Sequence, residues 1–368
     1  MAFQKSDGMN YAPTGRACPV VKPGEFVFAA TALDHGHIYG MCNGLLAAGA
    51  TLKAVYDPDP KKVEDFLKKY PGTPVEDSLE ALLDDPELHM IAAAAIPNRR
   101  CELGIRVMEA GKHYFTDKAP MTTLDHVAAA REAVKRTGKR YMVYYSERLH
   151  VEGAVMAGQL VKDGAIGRVV QVMCLAPHRL SAPSRPPWFW SLEQSGGTLC
   201  DIGSHQIEQF LYFTDNADAT VVSALRANYS HPEYPEFDDF GCATLVGDNG
   251  ATQYFRVDWL NPDGLSTWGD GRLFLLGEKG YIEVRKYVDV ARDKLGDQIY
   301  LVDGQGERHL TATDTVGFPF FGEMILDCLN GTEKAMTQAH IFKAAELGIQ
   351  AQLTATRLDP TSGRRQYP

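Results

Sequence analysis

The sequence predicts an α/β protein in which a doubly wound parallel sheet is followed by an α+β domain with a large, mainly antiparallel open sheet. Three observations predict this class. The chain has 368 residues, which is enough for two domains. Apolar strand-like runs alternate with helical patterns over residues 25–145. After about residue 150, strand-like runs follow one another across short turns instead.

In the first half, strands and helices are predicted to alternate. The predicted strands are 26–32, 52–56, 90–96, 113–116 and 140–144. The predicted helices are 39–48, 60–69, 79–83, 100–110 and 124–137. Gly49, Gly111 and Gly138 fall just past three of these helices, where a left-handed C-cap favours glycine. This alternation is typical of βαβ units, and therefore of a Rossmann-type sheet with helices on both faces.

In the second half, most of the predicted elements are strands. Helices are predicted at 152–162, 203–213 and 338–353, and a proline-rich stretch occupies 177–187. The predicted strands are 168–176, 220–228, 240–246, 252–259, 272–276, 281–285 and 298–302. Successive strands joined by short turns favour antiparallel pairing.

Composition excludes several classes of function. Lys and Arg total 37 against 47 Asp and Glu, a net charge of -10 without a basic block, so nucleic-acid binding is not expected. No apolar run approaches the ~20 residues that span a bilayer, and the first 24 residues lack the apolar core of a signal peptide. The seven cysteines include no C-x-x-C pair, which favours reduced thiols in a cytoplasmic protein.

The turn after the first strand is a candidate dinucleotide site. It contains Gly36 and Gly40 and opens a helix, and Asp57 ends the second strand 21 residues after Gly36. A carboxylate there can hold both ribose hydroxyls of an adenosine. The residues that we expect to bind the cofactor are His35, Gly36, His37, Ile38, Asp57, Pro97, Asn98 and Lys118. The alternative is a plain strand–helix turn with a solvated Asp57.

Two further motifs suggest acid–base chemistry. Lys118 ends a parallel strand just before Pro120, at the edge of the sheet where ligands bind; alternatively, it is a surface lysine beside a turn. Asp201 and His205 are four residues apart and share a face on a helix. A histidine can take a proton from an alcohol, and a carboxylate can hold or orient the substrate. The alternative for this pair is a capping interaction at a helix start.

Aromatic and charged residues of the second half are candidates for substrate binding. Aromatic faces beside bidentate donors suit sugar-like polyols, but Trp and Arg also pack on sheet faces and at subunit interfaces. The residues that we expect to bind substrate are His178, Arg179, Trp188, Asp201, Trp268 and Arg272.

Over about residues 25–355, these motifs resemble the glucose–fructose oxidoreductase / inositol dehydrogenase (Gfo/Idh/MocA) family of nicotinamide-dependent oxidoreductases. The resemblance rests on Asp57-Pro58-Asp59, Ile96-Pro97-Asn98, Gly111-Lys112-His113, Asp117-Lys118-Ala119-Pro120 and Gly196-Gly197 followed by Asp201 and His205. The family commonly has Glu-Lys-Pro at the fourth of these motifs. It also commonly has a histidine shortly after the asparagine, where this chain has Arg99-Arg100-Cys101. Leu33, Asp34, His35 and His37 replace much of the family's glycine fingerprint.

The resemblance implies an NAD(H)-dependent oxidoreductase that transfers a hydride between nicotinamide and a secondary alcohol or ketone of a sugar, cyclitol or related polyol. Lys118, Asp201 and His205 then carry the family's catalytic lysine, aspartate and histidine. Two other functions stay open: an NAD-assisted glycosidase or lyase that oxidises a ring hydroxyl transiently, and a non-catalytic ligand sensor. NAD(H) is expected rather than NADP(H), because Asp57 would repel a 2′-phosphate. No obligatory metal is expected, although Asp201, His205 and His178 are of ligand type.

The motifs also predict how the chain is divided. We expect an N-terminal extension at 1–24 and a dinucleotide-binding Rossmann domain at 25–147. An α+β domain at 148–358 is expected to bind substrate and to form a homodimer or homotetramer through its sheet, and 359–368 form a C-terminal tail. Apolar residues on both alternating faces of the strands, such as Val221, Val222 and Leu225, favour this association.

Overall fold

A computed structural model describes residues 8–292 and 294–360. The described chain divides into two compact units. Among the described residues, the first unit contains 9–152 and 314–342, and the second contains residue 8, 153–292, 294–313 and 343–360. The predicted division at 147/148 treated each domain as one continuous segment. It therefore did not assign residues 314–342 to the first unit.

The first unit is built on a parallel sheet of five strands. The strands are β1 (Val27–Thr31), β2 (Thr51–Tyr56), β3 (Met90–Ala93), β4 (His113–Asp117) and β5 (Tyr141–Tyr144). Their order is β2-β1-β3-β4-β5, and every neighbouring pair is parallel. The predicted sheet is therefore confirmed. The order reverses between β1 and β3, which is where ligands bind in open α/β sheets.

The second unit contains a nine-stranded sheet. Its strands are β6 (Val169–Pro177), β7 (Ala219–Ala227), β8 (Phe240–Gly247), β9 (Thr252–Asp258), β10 (Arg272–Gly277), β11 (Gly280–Arg285), β12 (Gln298–Asp303), β13 (Gly306–Thr311) and β14 (Thr356–Arg357). The order is β13-β12-β11-β10-β6-β9-β8-β7-β14. The pairs β6–β9 and β7–β14 are parallel and the others are antiparallel, which confirms the mainly antiparallel prediction.

The helices follow the predicted order with three additions, at 146–149, 192–195 and 319–330. They are α1 (His37–Ala47), α2 (Pro60–Lys69), α3 (Leu79–Asp84), α4 (Arg100–Glu109), α5 (Leu124–Thr137), α6 (Ser146–Leu149), α7 (Glu152–Lys162), α8 (Leu192–Ser195), α9 (Thr198–Thr214), α10 (Pro319–Asn330) and α11 (Gln338–Thr354). Within the described ranges, each helix is either too short or too polar to span a bilayer. All seven cysteines lie among the described residues, and none of them is in a disulfide bond there.

Two predicted boundaries were wrong by three residues or more. Strand β3 ends at Ala93 rather than at residue 96, because Ala94 bonds to the turn after β1: its N–H donates to Ala32 O and its carbonyl accepts from His35 N–H. Helix α9 begins at Thr198, five residues before its predicted start. The N–H of Asp201 already donates to the Gly197 carbonyl at 2.8 Å, so the first helical turn is complete before residue 203.

Helix α1 leads from the candidate cofactor turn and packs closely on α10. A Cβ atom placed on Gly44 would lie 2.2 Å from the Phe321 ring, which is itself buried. By contrast, a Cβ on Gly348 in α11 would find its nearest neighbours at 3.7–3.8 Å, an ordinary contact distance. The close approach of α1 and α10 therefore requires glycine at position 44.

We expect Gly44→Ala to lower the free energy of unfolding by about 1–3 kcal/mol, because the added methyl group overpacks the contact with Phe321. Gly348→Ala is the matched control and should be neutral or stabilising by up to about 1 kcal/mol, since alanine favours a helix. Urea unfolding of both variants measures the difference. Equal stabilities would contradict the close packing of α1 on α10.

Candidate active site

The turn after β1 keeps a tight path without the expected glycine. Ala32, directly after the strand, has a φ of +49°, in the left-handed region that usually favours glycine. The carboxylate of Asp57, at the end of β2, fixes this turn: its Oδ2 accepts the Leu33 N–H at 2.7 Å and its Oδ1 accepts the Asp59 N–H at 2.9 Å. Asp57 is 6% exposed, and each oxygen has a second lone pair for a ligand hydroxyl.

The glycines of this turn accommodate protein atoms that lie very close. A Cβ atom on Gly36 would lie 2.4 Å from the Met9 carbonyl oxygen and 2.8 Å from the Asn10 side chain. One on Gly40 would lie 2.6 Å from the Tyr144 hydroxyl. The glycine pattern is thus explained by packing of the N-terminal segment and of β5, in addition to any approach of a phosphate.

Asn98 provides a polar group that a bound cofactor could use. It lies in the 3-10 turn Pro97–Arg99, which follows β3 at the reversal of the strand order. Its side-chain Oδ1 is buried and has no hydrogen-bond partner in the described chain. A buried acceptor without a donor is costly, so this atom fits a ligand that donates a hydrogen bond. Together with Asp57, it fits a dinucleotide at this edge of the sheet.

A buried charged cluster lies at the carboxyl end of β4. Asp117 is fully buried; His37 Nδ1 lies 2.9 Å from its Oδ1, and His35 Nδ1 lies 3.1 Å from its Oδ2. The Arg100 guanidinium lies 3.4 Å from Oδ2. Burial alone would raise the pKa of Asp117, but His37, His35 and Arg100 outweigh it and hold that pKa well below its usual value. Burial, reinforced by His37, lowers the pKa of His35 well below its usual value.

The same cluster has the ligand types of a metal site. The donor atoms of His35, His37 and Asp117 lie within 4.8 Å of one another. This group differs from Asp201, His205 and His178, the set weighed from the sequence. However, Arg100 already neutralises the single carboxylate, and Lys118 follows it directly. Because this balance is neutral or positive, the cluster favours an anion, such as a cofactor pyrophosphate, over a divalent cation.

In the second unit, Asp201 and His205 both lie on α9. The helix follows Gly196 and Gly197, which have φ values of +81° and +83°. His205 is 2% exposed and is the eighth residue of the helix, so it does not cap the helix start. Its carbonyl accepts from Gln209 Nε2 at 2.9 Å, and Gln209 Oε1 accepts from the buried Lys286 at 2.9 Å.

The expected substrate residues of the second unit have different surroundings. His178 packs against Trp259 and Trp268, with ring centroids 5.3 and 4.6 Å away, and its Nδ1 lies 3.1 Å from the Ala176 carbonyl oxygen. Arg179 donates to the Leu265 carbonyl at 2.6 Å. Two residues of this set, His178 and Trp268, are thus in direct ring contact, and the role of each residue in substrate binding stays a prediction.

The remaining two residues of that set have protein partners of their own. Trp188 is buried and packs edge-on against Phe189, with ring centroids 6.2 Å apart. Arg272 forms a two-nitrogen ion pair with Asp270. Sequence reasoning missed Arg100, Gln209 and Lys286, whose positions depend on contacts between distant segments. The one available signal was Arg100 in the motif where the resembling family has histidine.

We expect chelator treatment to leave the melting temperature and the cofactor affinity unchanged, because Arg100 supplies the positive charge beside Asp117. Metal analysis of the purified protein and thermal melts before and after chelation check this. Stoichiometric zinc whose removal lowers the melting temperature, and whose return restores it, would contradict the anion assignment.

Comparison with known proteins identifies relatives for both units. A model of the oxidoreductase family with an NAD-binding Rossmann fold, GFO/IDH/MocA, matches residues 35–145. A model of the GFO/IDH/MocA C-terminal domain matches residues 155–283. The two matches together span more than half of the chain.

A solved structure from Erwinia carotovora atroseptica SCRI1043, provisionally classed as an oxidoreductase, is 50% identical. The match covers 91% of this chain and 100% of the chain in that structure, with a TM-score of 0.88. Levoglucosan dehydrogenase from Pseudarthrobacter phenanthrenivorans is 25% identical over 186 residues, which is 50% of this chain and 47% of that enzyme. The match therefore spans about half the length of this curated relative.

An aldose-aldose oxidoreductase from Caulobacter crescentus, solved with glycerol, is 22% identical and has a TM-score of 0.73. The match covers 92% of this chain and 98% of the chain in that structure. At this identity, the comparison shows that the folds are alike and nothing more. The family matches agree with the resemblance that the motifs carry, from Asp57 to His205. The chain belongs to the GFO/IDH/MocA family of oxidoreductases.

Proposed function

We propose that the protein is a cytoplasmic, NAD(H)-dependent oxidoreductase that transfers a hydride between nicotinamide and a secondary alcohol or ketone of a sugar, cyclitol or related polyol. The observation that carries the proposal is the match of both family domains by a chain that retains Lys118, Asp201 and His205. The Asp57 carboxylate at the end of β2 supports NAD(H) as the cofactor, because a carboxylate at this position can accept hydrogen bonds from the adenosine ribose hydroxyls.

Each of the three residues has a distinct role in this proposal. When bound, the nicotinamide supplies the hydride acceptor or donor. His205 takes the proton from the substrate hydroxyl during oxidation and returns it during reduction. Lys118 donates a hydrogen bond to the reacting oxygen and stabilises the charge that develops there. Asp201 accepts a hydrogen bond from a neighbouring hydroxyl and so orients the sugar ring.

The charges around Lys62 predict cofactor preference. Lys62 Nζ lies 2.6 Å from Asp34 Oδ1 and 4.0 Å from Asp57 Oδ1, so its charge is already neutralised by two carboxylates. We expect NADH to bind at least about tenfold more tightly than NADPH, because a 2′-phosphate would meet these carboxylates while Lys62 is already paired with them. Fluorescence titration measures both affinities. Tenfold tighter binding of NADPH would contradict the role of Asp57.

We expect His205→Ala to lower turnover by about 10²–10⁴-fold while NADH affinity stays nearly unchanged, because acid–base transfer contributes this much. His309→Ala is the matched control: His309 is exposed on β13, and its loss should leave turnover unchanged. The melting temperature is measured on the same preparations. If turnover per folded molecule stays within threefold of wild type, His205 is not the acid/base and Lys118 becomes the candidate.

One face of the second sheet supports the proposed homodimer or homotetramer. Helix α9 packs on β6, β8 and β9, while large apolar side chains on the strands remain exposed. These exposed residues are Met173, Val222, Leu225, Val246, Tyr254, Leu276 and Tyr281. In β6, the exposed Met173 lies between the buried Val172 and Cys174, as a sheet with one covered face requires.

We expect light scattering at micromolar concentration to give the mass of a dimer or tetramer, because burying this face removes apolar surface from water. Met173→Glu should weaken the association, since it places a charge within the face. Val290→Glu is the control, at a loop residue that is 61% exposed and outside the strands. A wild-type monomer would contradict the assignment of this face.

A further inference from the structure

We propose that Arg100 is a positioning residue that holds the backbone of Lys118 in place for hydride transfer. The inference rests on the proposed function, in which Lys118 contacts the reacting oxygen. Arg100 is the first residue of α4, and Lys118 follows the last residue of β4. The two residues are 18 positions apart in the sequence, but Arg100 contacts the peptide groups on the carboxyl side of Lys118 directly.

The guanidinium of Arg100 uses all three nitrogens. Nη1 donates to the carbonyl of Lys118 and, at 3.0 Å, to the carbonyl of Ala119. Nε donates to the Ala95 carbonyl at 2.6 Å, beyond the end of β3. Nη2 lies 3.4 Å from Asp117 Oδ2. One side chain therefore joins the carboxyl ends of β3 and β4, at the edge of the sheet where the cofactor is proposed to bind.

Lys118 is held from its other side as well. Its backbone N–H donates to Asp117 Oδ1 at 2.8 Å, and the other oxygen of that carboxylate faces Arg100. The amide and the carbonyl of Lys118 are thus tied to the two members of one buried ion pair. Because the backbone is fixed on both sides, its Cα position, from which the ammonium reaches the substrate, is fixed too.

The chemistry of arginine suits this role better than that of lysine. A planar guanidinium presents several N–H groups in a rigid fork, whereas an ammonium is a compact point charge on a flexible stem. Arg100 is 0% exposed, so it does not itself serve as an exposed binding group. A misplacement of about 1 Å in a reacting group can lower the rate by about 10²-fold. Fixed geometry at Lys118 can therefore offset the free-energy cost of burying the Arg100 charge.

The test compares Arg100→Lys, which keeps the charge but loses the fork, with Arg106→Met, a control on the same helix. Arg106 pairs with Glu80 on the surface and contacts none of the groups above. We expect Arg100→Lys to lower kcat by about 10–100-fold with the NADH dissociation constant within about threefold of wild type. Arg106→Met should leave both values unchanged.

A double variant separates positioning from a general structural effect. In a Lys118→Met background, single-turnover measurements should show that Arg100→Lys changes the rate by less than about twofold, because Arg100 acts through Lys118. An undiminished effect of Arg100→Lys in that background would overturn the proposal, as would an unchanged kcat in the single variant.

Crystal structures of wild type and Arg100→Lys provide a readout that does not depend on activity. We expect the Lys118 Nζ to move by about 1 Å or more in the variant, or to lose its ordered position. An unchanged and ordered position of Lys118 Nζ would overturn the proposal, even if no substrate is turned over. If wild type oxidises no polyol but Lys118 moves as expected, the proposed function fails while the positioning role stands.

Discussion

The buried carboxylate of Asp117 is the interaction on which the first unit's candidate site depends. It lies beside His35 and His37 of the turn after β1, beside Arg100 of α4 and beside the amide of Lys118. An ion that is fully buried is costly unless it is paired and hydrogen-bonded, so each of these neighbours is held where it is by the same charge. Removing one partner of such a pair typically costs about 3–5 kcal/mol. The cofactor turn and the candidate catalytic lysine are therefore coupled through one carboxylate.

Local signals in the sequence predicted the elements that frame this site. Helix α2 has Asp59 as its N-cap and proline as its first residue, and α5 has a threonine N-cap and ends at Gly138 with a φ of +67°; both were predicted at their observed bounds. Such signals depend on neighbouring residues alone. The start of α9 was missed because it depends on a distant residue, Gln352, whose Oε1 accepts the Leu199 N–H at 3.0 Å.

The charged cluster could be predicted only in part for the same reason. His35, His37 and Lys118 were recognised as candidates from their places after strands, but their grouping around Asp117 requires β1, β4 and α4 to be brought together by the fold. In the sequence, Leu33, Asp34, His35 and His37 replace much of the glycine fingerprint of the family. The positive φ at Ala32 and the bond from Leu33 to Asp57 instead preserve a tight turn by other means. A sequence motif contains only residue types, whereas the conformation of the turn after β1 depends on backbone contacts.

Hydride transfer from a carbinol carbon to nicotinamide can be followed by isotope transfer. The protein is incubated with NAD+ and a panel of sugars and cyclitols deuterated at their ring carbinol carbons, and the cofactor is analysed by mass spectrometry. If the enzyme transfers the hydride as proposed, the NADH carries one deuterium and forms in proportion to the ketone product. Label that never enters the cofactor, or product that forms without net NADH, would contradict the proposed transfer.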